Sequence, residues 1–182
     1  MKHDGLSDKE LIELYLKNDE NAFEVLYQRY RKPLYSYLNK MLPGQPALVD
    51  DLFQQTWMKV IKSLERYKDS QNFLAWCIRI GRNLSIDYFR KENKKSMVNY
   101  EDISLIEGGA GPLQSISESE LGQAIGKAVA TLPSDQQEVF VLRQQNLSFK
   151  EIAEIQNTSL NTTLGRMHYA VNKLRKILKD WL

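Results

Sequence analysis

The stretch LSFKEIAEIQNTSLNTTLGRM, residues 147–167, contains two helix beginnings with a short polar turn between them. Ser148 and Glu151 stand three apart, the spacing of a capping box, in which each side chain satisfies an otherwise free backbone N–H at a helix start. Ile152, Ala153 and Ile155 then supply a short helix, and the small Ala153 permits a close helix crossing. Ser159 is placed to cap a second helix. In that helix Leu160, Leu164, Met167, Val171, Leu174 and Leu178 advance by steps of four and three, so this stripe is expected to be buried. The other side shows Asn161, Thr162, Thr163, Arg166, Tyr169, Asn172 and Lys173, with short hydrogen-bonding side chains first and basic ones further along. A helix-turn-helix needs that order, because the start of its second helix meets base edges while Lys and Arg hold phosphates. An ordinary helical hairpin would explain the apolar spacing, but not an outer face without acids.

Working outward, nearly every apolar pattern in the 182 residues has helical spacing, and no sustained alternation argues for a strand. The fold class is therefore all-α. Ser7 and Glu10 make another capping box, ahead of Leu11, Leu14 and Tyr15. From Ala22 the positions Phe23, Leu26, Tyr27, Tyr30, Leu34, Tyr37 and Leu38 form a long apolar stripe that Pro43-Gly44-Gln45-Pro46 interrupts. Leu52, Phe53, Thr56, Trp57, Val60, Ile61 and Leu64 mark a third helix, and Phe73, Trp76, Cys77, Ile80, Leu84 and Tyr88 a fourth. Between Asn93 and Ser119 the pattern fails around Gly108, Gly109, Gly111 and Pro112, which reads as a flexible linker. Spacing returns at Leu121, Ile125 and Val129, and again after Pro133, which suits a first helical turn. The expected organisation is an N-terminal helical bundle over 1–92, a linker over 93–119 and a smaller helix-turn-helix domain over 120–182.

Charge sharpens this division. Residues 1–91 carry 15 basic and 12 acidic side chains, residues 92–125 carry 2 and 6, and residues 126–182 carry 8 and 5. Two mildly basic blocks thus flank an acidic one. Residues 158–179 hold five basic side chains and no acid, and residues 79–95 hold six against Asp87 and Glu92. Two basic stripes on a nearly neutral chain suit two contacts with one polyanion, although a solvated helix face also explains a single charge run. Cys77 stands alone, so an internal disulfide is excluded and a reducing compartment is expected. No apolar run reaches the roughly 20 residues that span a bilayer, and the first residues lack a signal-peptide core, so membrane insertion is not expected and the location is expected to be cytoplasmic. No phosphate loop, HExxH or glycine-framed serine occurs; His3 and His168 stand in no recognisable site, and neither enzyme activity, a metal nor a cofactor is expected.

Two N-terminal segments carry further signals. In residues 73–91 aromatic side chains interleave with Arg79, Arg82, Arg90 and Lys91, a mixture able to stack on unpaired bases while neutralising a strand. Phe73, Trp76 and Ile80 read better as core on spacing, which leaves Tyr88 and Phe89 for stacking. In residues 50–57 Asp50 and Asp51 suit a helix start, and Gln54 and Gln55 extend an uncharged polar surface. That face serves either the helix dipole alone or a protein docking surface.

Taken together, the aromatic N-terminal bundle, the segment DLFQQTW at 51–57, the block from Phe73 through Asn83 and Asp87 to Arg90, the weak linker, and Leu132-Pro133 leading to Ile152-Ala153-Glu154-Ile155 resemble bacterial sigma factors of the extracytoplasmic-function (ECF) group. The resemblance covers roughly residues 10–180 apart from the linker. It implies an RNA polymerase sigma factor whose N-terminal domain binds the β′ clamp and captures the melted −10 element, while its C-terminal domain contacts the β flap and reads the −35 element. By position it implies polymerase docking by Asp50, Asp51, Gln54 and Gln55, and −10 contacts by Arg79, Arg82, Asn83, Tyr88, Arg90 and Lys91. Ser159, Asn161, Thr162, Thr163, Arg166, Tyr169 and Lys173 would face the −35 duplex. Core polymerase, promoter DNA and an anti-sigma protein are the implied partners. The family often has an acid where Gln55 stands, alanine where Gly81 stands, and a Gly-Thr-Val-Lys run where Asn161-Thr162-Thr163-Leu164 stands, so the −35 preference does not transfer. A free-standing helix-turn-helix regulator is the alternative, although such proteins usually bind symmetric sites as dimers.

Overall fold

In the computed structural model of the chain, which describes residues 3–68, 72–95 and 120–181, helix starts fall where the capping residues put them. The first helix, α1 (Asp8–Leu16), carries the Ser7–Glu10 capping box, with the Ser7 N–H donating to Glu10 Oε2 at 2.8 Å. These bonds to Ser7 hold the Glu10 carboxyl below its ordinary range. Asn18, in the left-handed region at φ 71°, closes the turn, and Asp19 caps α2 (Glu20–Met41). Gly44, at φ 77°, and Pro46 then separate α2 from α3 (Pro46–Ser63), as the Pro-Gly pattern requires. A single 3-10 turn, Leu64–Arg66, leads toward α4 (Phe73–Lys95).

The second half contains α5 (Glu120–Ala130), α6 (Ser134–Gln144), α7 (Phe149–Gln156) and α8 (Leu160–Ile177), followed by a 3-10 turn at Lys179–Trp181. Pro133 is the N-cap of α6 rather than a first-turn residue, and its carbonyl accepts from Gln136 and Gln137. Ser148 and Glu151 form the expected capping box of α7; Asn157, left-handed at φ 52°, ends that helix, and Ser159 accepts from the Thr162 N–H at 3.0 Å to begin α8. All described regular structure is helical, in agreement with the sequence. The linker expected over 93–119 lies mainly outside the described residues, although α4 extends through its first three positions.

Packing joins the two halves. Aromatic side chains fill the N-terminal bundle: Phe73 lies 5.1 Å from Tyr30, 5.3 Å from Tyr67 and 5.7 Å from Trp76 between ring centroids. The same apolar cluster continues into Val139, Leu142, Leu147, Ile152 and Ile155, because α7 packs on α4 and α6 on α2. Only a smaller cluster, Ala128, Val129, Leu132, Ala170 and Leu174, belongs to the C-terminal helices alone. Among the described residues no helix is long and apolar enough to cross a membrane.

Two expected apolar stripes are corrected. Ile61 is 40% exposed rather than core. On α8 the buried residues are Thr163, Ala170 and Leu174, while Leu160 and Leu164 are 47% and 42% exposed. The small Thr163 and Ala170 let neighbouring helices approach, and that crossing sets the rotation of α8 against the pull of its larger leucines. Cys77 is fully buried, and burial pushes its thiol well above the usual range. The native protein is therefore expected to resist a neutral-pH thiol reagent that labels the urea-unfolded chain at once; equal labelling rates would contradict the burial.

Candidate polymerase and nucleic-acid interfaces

Asp50, Asp51, Gln54 and Gln55 stand exposed along the first half of α3. Tyr35 donates its hydroxyl to Asp50 at 2.9 Å, and Gln55 donates to Asp51 at 2.8 Å, so this polar face is ordered by its own hydrogen bonds. Sequence reading missed its continuation. Met58, 56% exposed, lies four residues beyond Gln54, and Ile61 follows it one turn later. A thioether and an aliphatic side chain beside uncharged amides form a patch suited to protein contact rather than to DNA. The missed signal was the recurrence of these apolar residues in the register of Asp51 and Gln54 instead of that of Leu52 and Thr56.

On α4, Asn83, Tyr88, Arg90 and Lys91 are exposed, and Arg79 is half-buried. Helical spacing aligns Arg79, Asn83 and Arg90 on one side, with Arg90 paired to Asp87 at 3.1 Å. Tyr88 projects elsewhere on the helix and meets Phe89 edge-on, with 5.3 Å between centroids. Phe89 itself packs against the core.

Arg82 departs from this row. Its Nε donates to Glu138 Oε1 at 2.9 Å and Oε2 at 3.2 Å, across the boundary between α4 and α6. Glu138 is 4% exposed, and the Tyr37 hydroxyl donates to the same Oε1 at 2.7 Å. Burial, with the Glu138 charge second, holds the Tyr37 phenol well above its ordinary range. Gln156 completes the carboxylate's shell by donating to Oε2 at 2.8 Å. Beyond it, Arg166 donates to Gln156 Oε1 at 2.7 Å and to Asp135 Oδ2 at 2.6 Å. A continuous polar relay therefore runs from Arg82 through Glu138 and Gln156 to Arg166. The apolar spacing of α2 marks Tyr37 only as core, and Glu138 and Gln156 carry no signal in the sequence.

On the helix-turn-helix formed by α7 and α8, Ser159, Asn161, Thr162, Tyr169 and Lys173 are exposed. Lys173 donates to the Thr131 carbonyl, and Tyr169 is 65% exposed. Thr163 is placed otherwise: it is buried, and its hydroxyl donates to the Ser159 carbonyl at 3.1 Å. The exposed start of α8 is thus made of Asn161 and Thr162 together with Leu160 and Leu164.

Comparison with known proteins follows the same division. A family model of Sigma-70 region 2 matches residues 26–95, and a model of Sigma-70 region 4 matches residues 122–174. The chain is 27% identical to the ECF RNA polymerase sigma factor SigW of Bacillus subtilis over 94% of its own length and 97% of that protein. It is also 27% identical to the ECF RNA polymerase sigma-E factor of Escherichia coli K12, over 91% of each chain. In fold it is similar to the sigma factor RpoE of Bartonella quintana, solved with the anti-sigma factor NepR, at a TM-score of 0.67, 23% identity and coverage of 86% of this chain and 96% of that one. It is likewise similar to CnrH, solved with the cytosolic domain of CnrY, at a TM-score of 0.64, 22% identity and coverage of 95% and 97%. The two matched regions, together with ECF relatives aligned over more than nine-tenths of the chain, make this chain a member of the ECF sigma factors, the proteins that direct RNA polymerase to initiate transcription at specific promoters.

Proposed function

We propose that the chain divides its work between a unit over 1–92 and a unit over 120–182, joined by 93–119. The α3 face of Asp50, Asp51, Gln54 and Gln55 docks on the polymerase β′ clamp, and the C-terminal unit contacts the β flap. Arg79, Asn83, Arg90 and Lys91 on α4, with Tyr88, lie along the melted −10 strand, while α8 enters the −35 major groove. The protein performs no chemistry of its own and acts in the cytoplasm. Strand opening draws on binding energy, since unstacking a base costs a few kcal/mol and stacking contacts return a similar amount.

The observation that carries this reading is the pairing of two unlike basic surfaces on one chain, the row on α4 and the helix-turn-helix of α7 and α8. Such asymmetry suits a directional promoter rather than a palindromic operator. The bond to Glu138 adds a condition: Arg82 serves DNA only after α6 moves away from α4 and α2, whereas Arg166 is held within the C-terminal helices by Gln156 and Asp135 and must exchange those partners for DNA. An anti-sigma partner, of the kind with which RpoE was solved, would act by stabilising the closed arrangement.

The test is transcription in vitro with bacterial core polymerase and a randomised promoter library. Promoter-specific starts should require this protein; starts that do not change on its addition would overturn the reading. Asn83→Ala is expected to slow strand opening, read by permanganate reactivity of unpaired thymines, far more than it weakens initial docking. Equal loss of both would move Asn83 to a structural role.

A further inference from the structure

Gly81 and Gly165 sit inside helices of this protein in opposite surroundings. At Gly81 a Cβ would stand 3.1 Å from Thr56 Oγ1 and 3.5 Å from Leu38 Cδ2, so the crossing of α4 with α3 and α2 accounts for it. At Gly165, in the interior of α8, a Cβ would meet nothing within 4 Å, and the backbone there does not have positive φ. Glycine is among the least favourable residues within a helix, and here neither packing nor backbone geometry gains from it. The remaining physical reason for a missing side chain is a close approach from outside the molecule.

What surrounds Gly165 says what approaches. Asn161 lies one turn before it and Tyr169 one turn after, with Leu164 and His168 beside it, all exposed. Leu160 and Leu164 are an apolar pair four residues apart at the start of the helix, on the side that a helix-turn-helix turns to the major groove. Leucine cannot hold a phosphate or bond a base edge. The apolar group that the major groove offers is the 5-methyl of thymine. The basic side chains Arg175 and Lys176, exposed in the last turns of α8, and the absence of acids along this helix suit a polyanion as the occupant.

We infer that Gly165 sets how deeply α8 enters the −35 groove and that Leu160 and Leu164 read thymine methyl groups there, which makes them specificity-determining residues of this chain. The inference rests on the sigma reading above. The −35 element is then chosen by methyl contact and by Asn161, where the resembling family has a basic residue at the position of Leu164.

The experiment uses the full chain with core polymerase and the −35 duplexes that this holoenzyme recovers from a randomised library. Each −35 thymine is replaced in turn by deoxyuridine, which removes only the methyl. At one or two positions the replacement should weaken binding of the natural protein about three- to tenfold, each methyl contact being a fraction of the discrimination per base pair, and should leave binding by Leu164→Ala or Leu160→Ala unchanged. Gly165→Ala should raise the thermal midpoint by about 2–4 °C, yet weaken promoter binding about tenfold. Recovered elements without thymine, tolerance of deoxyuridine at every position, or a Gly165→Ala protein that binds as tightly as the natural one would each overturn the inference while leaving the sigma reading intact. A library with no enriched −35 sequence at all would overturn the sigma reading instead.

Discussion

Replacing Glu138 with alanine is expected to separate the two halves of the molecule. The carboxylate accepts from Tyr37 and Arg82 of the N-terminal helices and from Gln156 of α7, and the Arg82 side chain beside it is only 13% exposed. Removing one partner of a buried ion pair costs about 3–5 kcal/mol, since the other charge stays desolvated with nothing opposite it. That loss falls on the contacts of α4 with α7 and α2 with α6, where the remaining hold is the apolar cluster around Leu142, Leu147 and Ile152 and the exposed Lys40–Gln144 hydrogen bond. Energy transfer between dyes on α3 and α8 should report a longer distance, and the urea midpoint should fall. Glu138→Gln keeps an acceptor for the Tyr37 hydroxyl and should do less. An unchanged distance and midpoint in the alanine variant would show that the interface closes without the Glu138 contacts.

The second large effect is expected at Met58. A carboxylate there, in Met58→Asp, places charge in the middle of the exposed face of α3 and is expected to weaken core-polymerase binding by about 2 kcal/mol, roughly thirtyfold, as truncating a central apolar anchor does. Because Met58 is 56% exposed, the thermal midpoint should stay within about 2 °C of the natural value. Titration of labelled core polymerase separates the two readouts. Binding at full strength would confine docking to Asp50, Asp51, Gln54 and Gln55.

What could be read from the sequence was local. The two capping boxes, Ser7 with Glu10 and Ser148 with Glu151, and the Ser159 cap each bring together residues three apart, and all three mark real helix starts. The rotation of α8 was not legible in the same way. Its leucines form a better apolar stripe than Thr163 and Ala170, but the helix crossing selects small residues, and only the neighbouring helices reveal where the crossing lies. Tyr37 and Glu138 are 101 residues apart, so neither betrays its partner, and an acid next to Val139 looks like one more surface position. The candidate contacts followed the same rule. Asn83, Arg90 and Asn161 are exposed where helical spacing put them, while Arg82, Thr163 and Arg166 are engaged by partners from elsewhere in the chain or from the preceding turn.

The relay between Arg82 and Arg166 also bears on ionic strength. A free basic side chain that meets a phosphate displaces condensed counterions from the DNA, and each such contact adds about 0.9 to the slope of log affinity against log salt. Arg82 and Arg166 begin instead against Glu138 and Asp135. When they exchange carboxylate for phosphate, the cost of parting each ion pair falls as salt screens it, which offsets part of the affinity lost through weaker counterion release. Promoter binding by this protein should therefore tolerate salt better than its number of phosphate contacts suggests.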